Sequence, residues 1–484
     1  MRRLLPLLAA ALLAYGGALR GSFHFDDYSL LANPLITFGE GLWRMWQPLQ
    51  TRPLTNLTFW VNYRLGGSDP VGYHAVDLAL HLTAVMLLFM ALKHLIPEIA
   101  AFWAALIFAV HPIQSEAVNY VFARGTLLST VFCLACLIFW LRRKHFAAVA
   151  LFACALLAKE ECVTFPLVLL LLAPSYDRLR PFAIMMAMAA LAGLRAVWST
   201  AYTPGSGAGF TAGVAPWEYA AAQGAALARY LQLLVIPWGF TIEPTISTSF
   251  MVRALAWLGI GCLAFVAWKF RRRVPAALWV SAALILIIPS STIFPAADLA
   301  ADRRMYLPMV AFAAAFGLIT PRLSKHALAA LTIGLLILSF LRTEAWRTEQ
   351  SLWSEAAQRS PTHVRPLLQL SRAVPPTEAR ALLTQAKAVE PRNAAVYSEF
   401  GRFWLNSGRY DLALGEFGRA LALQPNDANA LNNRGAALLG LKQERAARQD
   451  FERALKADPC VLAARNNLRA LGATNLPPCP AIER

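Results

Sequence analysis

Asp26 and Asp27 stand side by side in Phe23-His24-Phe25-Asp26-Asp27-Tyr28, just past the first hydrophobic segment. Carboxylates at a bilayer edge are costly unless hydrated, paired or used. A carboxylate there can take a proton from a hydroxyl or orient one. Other polar residues recur in later loops and at helix ends that alternation brings to the same side. They are Arg52; His74 and His81; His111 and Glu116; Arg124; Lys159 and Glu160; and Asp302, Arg303 and Arg304. Each alone has a bland reading. A single arginine is commonly a solvated interface anchor, and a histidine at a helix start a cap or a packed polar group. A metal site built from His74, His81 and His111 matches no compact motif such as H-E-x-x-H. Acids and cations gathered on one face are harder to dismiss. They suit a sugar carried on a polyprenyl phosphate. Transfer to a hydroxyl needs one carboxylate as base, and the departing phosphate needs cations rather than an acid. A glycosidase instead needs a second carboxyl to protonate its leaving alkoxide. Arginine grips phosphate through its fork, lysine as a point charge. Asp26 and Asp27 could ligate a divalent metal, but a phosphate held by Arg and Lys needs none.

The elements that must position these residues are helices in a bilayer. The 484 residues are 57% hydrophobic and 15% charged, with mean hydropathy +0.47. A soluble chain carries about 25% charged residues. The net charge is +17, yet much of it lies in short clusters between apolar segments: Arg142-Arg143-Lys144, Arg271-Arg272-Arg273, and Arg322 with Lys325. Those are topology signals and speak against a nucleic-acid partner. Cys133 and Cys136 spell C-x-x-C, but within an apolar helix they read as buried small side chains.

Met1-Arg2-Arg3 and the apolar run to about Leu19 read as a retained first helix with a cytoplasmic N-terminus. Asp26 and Asp27 then emerge outside, in a long loop over 21–73. Its Trp43, Trp46, Trp60 and Tyr63, spaced with Arg44, Arg52 and Arg64, suit interfacial helices. Apolar segments follow at 74–95, 99–111, 126–141, 146–158, 162–174, 181–200, 252–268, 276–294, 305–320 and 326–342. The expectation is about eleven transmembrane helices in an all-α domain over 1–342. Alternation puts 111–125 and Lys159-Glu160-Glu161 outside, and Asp177-Arg178-Leu179-Arg180 inside. The stretch 205–213 reads as a flexible outer loop; its Gly205-Ser206-Gly207-Ala208-Gly209 follows no strand and is no dinucleotide fingerprint. Residues 219–240 contain Arg229 and Pro237. As a span they would invert everything after them and put the Arg271 cluster outside, so they read as interfacial or re-entrant.

After Arg342 the composition changes. Pro391, Pro425 and Pro459 recur every 34 residues, and so do Ala386, Ala420 and Ala454, and Leu383, Phe417 and Phe451. This is the tetratricopeptide period of two antiparallel helices per unit. The reading is a connecting helix at 343–359 and a short α-solenoid over 360–484. Its repeats are 394–427, 428–461 and a degenerate 360–393, whose helices Pro366 and Pro375-Pro376 are expected to interrupt. If this part lies outside the cytoplasm, Cys460 and Cys479 can pair.

Taken in order, Phe25-Asp26-Asp27, Arg52-Pro53-Leu54-Thr55, Gly72-Tyr73-His74, His81, His111-Pro112, Glu116-Ala117-Val118, Arg124, Lys159-Glu160 and Arg303-Arg304-Met305-Tyr306-Leu307-Pro308 resemble a family. It is the transmembrane-and-tetratricopeptide protein O-mannosyltransferases and their bacterial relatives, GT-C fold glycosyltransferases that use a lipid phosphosugar. Nearly the whole chain is covered. The resemblance implies that Asp26 and Asp27 act as catalytic base or position the acceptor, with Glu116 orienting acceptor or sugar. It implies that Arg124, Lys159, Arg303 and Arg304 hold the donor phosphate. Arg52, His74, His81, His111, Glu160 and Asp302 would support the site. Gln114 stands where relatives often have histidine, and the repeat array is shorter than in animal members. The expected enzyme moves a sugar, mannose by resemblance, from a polyprenyl-phosphate donor to protein Ser/Thr hydroxyls. It would sit in a bacterial inner membrane with the repeats periplasmic, binding a protein acceptor or partner. The rivals are a related enzyme acting on a glycolipid or polysaccharide, and a non-catalytic membrane-anchored scaffold.

Overall fold

Helices dominate because the chain is a succession of apolar runs, and a bilayer tolerates only backbones whose polar groups are internally satisfied. The computed structural model describes residues 3–37, 41–47, 50–174, 178–202, 214–291, 295–296 and 298–479. Asp177 and the Gly-rich 205–213 lie outside the described residues. No strand element occurs among those described. The chain divides into two units, Met1–Ser351 and Leu352–Arg484.

The first unit carries six helices long and apolar enough to cross a membrane among the described residues: Pro70–Leu92, Val121–Leu141, Leu179–Ser199, Phe250–Phe270, Asp302–Arg322 and Lys325–Ala345. A seventh is formed if Glu98–Val110 and Pro112–Asn119, bent by 51° at their junction, count as one span. The sequence expectation of about eleven is therefore corrected. The reason is length. The segment at 146–158 forms His145–Ala158, 14 residues, which extends about 21 Å against a hydrocarbon core of about 30 Å. Pro275–Ile287 has 13 residues and Phe165–Leu172 only 8. The first helix, Leu4–Tyr15, tightens into a 3-10 turn over Gly16–Arg20. Pro216–Val235 is 20 residues long, but its polar residues keep it out of the apolar set.

Close packing between the apolar helices uses small residues. Gly317 lies directly on the Ala100 carbonyl and Ala104, so a side chain there would drive two helices apart. Among the described residues of 21–73, helices form at Asp27–Ala32, Pro34–Thr37, Gly41–Arg44 and Pro53–Gly66.

The second unit is built of helix pairs in the 34-residue register. Ala394–Asn406 pairs with Tyr410–Leu423, and Ala428–Gly440 with Glu444–Ala457. A Cβ on Gly401 would meet the Phe417 ring at 2.6 Å, and one on Gly435 the Phe451 ring at 2.6 Å. The same glycine-on-phenylalanine crossing thus recurs one repeat apart. Asn393 and Asp427 cap the first helix of each pair, accepting from Ala395 N and from Asn429 N and Ala430 N. Pro366 and Pro376 fall in the first turns of Val364–Ala373 and Pro376–Val389. A missing N–H costs little there, so these prolines begin helices rather than interrupt them. Cys460 and Cys479 are joined in a disulfide that ties the start of the last helix, Leu462–Ala470, to the chain beyond it.

Candidate functional site

The two aspartates divide the work. Asp27 is fully buried, and both its oxygens are taken: Oδ2 accepts His24 N at 2.9 Å and Oδ1 accepts Phe122 N at 2.7 Å. Burial pushes its carboxyl well above the usual carboxylate range; the charges of Asp77 and Asp26 add to that, and the two N–H bonds oppose it. Asp27 pins the first loop to the 120–124 segment. Asp26 is exposed. Its Oδ2 accepts the Tyr120 hydroxyl at 2.9 Å, and its own N–H reaches that hydroxyl at 3.3 Å. The preceding Phe25 holds a left-handed φ of 47°, a backbone state costing about 1–3 kcal/mol that a rigid surround must enforce.

Tyr120 connects this carboxylate to the next pair. Its ring stacks on Trp346 (centroids 6.1 Å apart, planes 27°) and meets Phe25 edge-on at 5.7 Å. The Arg303 guanidinium lies 5.7 Å from its centroid. Arg303 binds Glu116 twice, through its side chain and through its backbone N–H at 3.1 Å, and reaches Asp298 at 2.9 Å. Asp26, Tyr120, Arg303 and Glu116 form one connected group.

A second group lies beside it. Arg52 forks onto Glu160, with Nη2 at 2.5 Å and Nε at 3.1 Å. Burial would raise the Glu160 carboxyl, but Arg52 overrides it and holds the group at about 2. Arg52, like Phe25, is left-handed, with φ 57°. Lys159 donates to Thr126 Oγ1 at 2.7 Å and pairs with Glu161 at 2.8 Å. Burial pulls its proton affinity down, with Glu161 opposing and both Arg52 and Arg303 adding to the fall. Those two arginines are thus within electrostatic reach of Lys159, and three cations converge. Next to Arg52 and Glu160 opens a cavity of 340 Å³ with apolar walls from Leu156, Met188 and Leu191, and with Arg195 on its lining.

The other expected residues are scaffold in this arrangement. Arg124 is wholly enclosed, with Nε on Asp77 at 2.5 Å, Nη1 on Asn62 at 2.6 Å and Nη2 on the Tyr73 carbonyl at 2.9 Å. Its guanidinium sits 4.4 Å over the Phe59 ring. No face of it is offered to a phosphate. Arg304 clamps the loop before it through the Asp298 and Leu299 carbonyls and the Tyr219 hydroxyl. Asp302 pairs with Arg229 at 2.6 Å. His81 bridges the Tyr306 hydroxyl at 2.8 Å and the Ala109 carbonyl at 3.3 Å. His111 receives Ile113 N at 3.2 Å and reaches the Leu234 carbonyl at 3.3 Å. His74 is buried against Gly21. The side-chain amide of Gln114, also buried, forms no hydrogen bond with the described protein atoms. The three histidines serve different contacts, and no group of three or more His, Cys, Asp or Glu among the described residues could hold a metal ion.

Similarity to known proteins points the same way as the residue order. A protein O-mannosyl-transferase of Caenorhabditis elegans, F38B6.6, is 27% identical over 408 residues, covering 75% of this chain and 59% of that one. Human protein O-mannosyl-transferase TMTC3 is 32% identical over 176 residues, 31% of this chain and 19% of that one. Drosophila melanogaster Tmtc1 is 33% identical over 181 residues, 32% and 21% of the two chains. The chain is similar in sequence to protein O-mannosyl-transferases. It spans 59% of the worm relative's length and about a fifth of the other two. No model of a known protein family matches the chain. Among solved structures, the APC/C hetero-tetramer Cut9-Hcn1 aligns at 12% identity over 89% of this chain and 85% of that one. Its TM-score of 0.25 is too low to bear on fold or function.

Sequence reasoning missed Tyr120, Glu161, Thr126 and Asp298 as members of the two groups. Tyr120 and Thr126 sit within a few residues of Glu116 and Arg124, and Glu161 adjoins Glu160, so proximity in the chain was a usable signal. Asp298 offered none: a lone acid in a loop gains meaning only once Arg303 is seen to reach it.

Proposed function

We propose that this homologue is itself a GT-C type glycosyltransferase that moves mannose from a polyprenyl-phosphate donor to Ser/Thr hydroxyls of proteins. The observation that carries the reading is the apolar cavity opening beside Arg52 and Glu160, with Lys159 and Arg303 in electrostatic reach. A greasy slot ending in clustered cations suits a ligand with a hydrocarbon tail and an anionic head. Asp26 is the exposed carboxylate beside that cluster. In the reaction the acceptor hydroxyl gives its proton to Asp26 while its oxygen bonds to the sugar's anomeric carbon. The bond from that carbon to the phosphate oxygen breaks, and the lipid phosphate leaves with the electron pair. A phosphate is a stable anion, so Arg52, Lys159 and Arg303 serve it better than an acid would. Glu116 and Glu160 hold two of these cations in place until a phosphate competes for them.

The names of the relatives supply mannose and protein as the substrates. The high alanine and arginine content favours a bacterial inner membrane, with a cytoplasmic N-terminus and the helical repeats in the periplasm presenting the acceptor. The test is glycoproteomics of wild type against Asp26→Asn at matched protein level. Loss of hexose from a set of Ser/Thr peptides supports the reading. Unchanged peptides with a surface glycolipid shifted in mass would move the acceptor to lipid. No change in either, with a phenotype on deleting 360–484, would leave a scaffold.

A further inference from the structure

A second cavity shares no lining residue with the one beside Arg52 and Glu160. It measures 680 Å³ and runs between Pro216–Val235, Phe250–Phe270 and Pro275–Ile287. Its walls are almost wholly apolar, with Leu227, Trp257, Ile260, Ala264, Trp268 and Ile285 among them. Trp257 is held in place by a hydrogen bond from its indole to the Ala220 carbonyl at 3.1 Å. Trp257, Trp268 and Ile288 on its lining are 40%, 49% and 49% exposed, so the groove opens on the apolar outer surface of these helices.

The cations stand at one end of this groove. Trp268 lines it, and the Arg271 guanidinium lies 3.7 Å from that ring's centroid while Nη1 binds the Trp268 carbonyl at 2.5 Å. Lys269, Arg272 and Arg273 are exposed around it. Lys269 rests near the Phe265 and Phe270 rings, at 5.7 and 5.8 Å. No acidic residue occurs between Phe250 and Ser291, so four cations within five residues face no local counter-charge. An uncharged lipid would fill the slot and leave this cluster unused.

We propose that the groove is a binding site for an anionic diacyl phospholipid, one acyl chain lying along Trp257, Ile260 and Ala264 and the phosphate head resting on Arg271 and its neighbours. Aromatic rings under the cations fix their height at the groove mouth, and each cation strengthens the hold on an anionic head. The groove shares no lining residue with the cavity of the proposed transfer site, and the inference does not depend on that assignment.

The experiment is native mass spectrometry of the full chain in detergent, titrated with phosphatidylglycerol and with phosphatidylcholine of the same acyl chains. Wild type should retain phosphatidylglycerol roughly tenfold more readily, the scale expected from two or more cations at the head. Replacing Lys269, Arg271, Arg272 and Arg273 together by glutamine should erase the preference. Ala264→Trp, which fills the slot and leaves the cations, should reduce binding of both lipids at least severalfold. Ile260→Phe provides a milder filling if the tryptophan variant does not fold. Equal retention of the two lipids by wild type overturns the proposal, and so does undiminished phosphatidylglycerol binding in folded groove-filled variants. Polyprenyl phosphate displacing phosphatidylglycerol at equal concentration, and losing its hold in the same variants, would also overturn it by assigning the groove to the donor.

Discussion

Replacing Asp26 and Asp27 one at a time should separate chemistry from architecture. Asp27 is buried with two backbone N–H groups, of His24 and Phe122, resting on its oxygens. Alanine there strands both donors. At about 1–3 kcal/mol for each buried unsatisfied group, the cost is about 2–6 kcal/mol. Asparagine keeps one acceptor and turns its amide toward the other donor, so Asp27→Asn should cost about 1–3 kcal/mol. Asp26 is exposed, and asparagine can still accept from Tyr120, so Asp26→Asn should shift stability by no more than about 0.5 kcal/mol. It removes the proposed base, however, and should cut turnover by about 10²–10⁴-fold. Both are measured on full-length protein in nanodiscs: thermal unfolding for stability, and mannosyl transfer to a Ser/Thr peptide per folded molecule for rate. The expected pattern is a stable, inactive Asp26→Asn and a weakened but active Asp27→Asn. If Asp27→Asn melts like wild type yet is inactive per folded molecule, while Asp26→Asn turns over normally, the division drawn from their burial is wrong.

Tyr120→Phe should lower turnover about tenfold by releasing Asp26 from its hydrogen bond, with donor KM unchanged. Added to Asp26→Asn it should cost nothing further, and an additive loss in that double variant would show that Tyr120 does not act through Asp26. Arg124→Met leaves Asp77 buried without its cation and should destabilise by about 3–5 kcal/mol, read by thermal unfolding; a normal melt would mean that Arg124 is not the strut its contacts describe. His24 is pushed down to about 4 by burial, with the Trp346 carbonyl opposing. The unfolded chain takes up that proton near pH 6.5 and the folded chain does not. Stability from this residue is therefore complete above about pH 6.5 and falls by roughly 3 kcal/mol as pH approaches 4. His24→Gln should lessen the fall of the melting temperature between pH 7 and pH 5, and an unchanged slope would reject the assignment. Gly435→Ala should destabilise by about 1–3 kcal/mol, because its Cβ would enter the Phe451 ring; increased protease sensitivity at the second repeat pair would report it.

What the sequence disclosed depended on whether the information was periodic, local or spatial. The 34-residue recurrence of glycine, alanine, phenylalanine and proline is periodic, and the helix pairs carry those residues at equivalent crossings. Hydrophobicity is local, so it located the apolar segments. It did not say which were long enough to cross: Phe165–Leu172 reads as greasy as any span, but its 8 residues extend only about two fifths of the length needed. Burial is spatial, and there the residue order misled most. Asp26 and Asp27 are the same residue type in adjacent positions, yet one faces outward and the other closes a pair of backbone hydrogen bonds. Arg124, Lys159 and Arg303 likewise read as equivalent cations. The structure encloses the first in Asp77, Asn62 and the Phe59 ring, and brings the other two within reach of Arg52. A cation's availability depends on how much of its head the fold leaves uncovered: the Arg303 side chain stays 24% exposed although Glu116 and Asp298 hold it, and the Arg124 side chain is 0% exposed. The groups that cover Arg124 come from helices dozens of residues away, so a motif can nominate a phosphate ligand but only packing can leave it free to bind one.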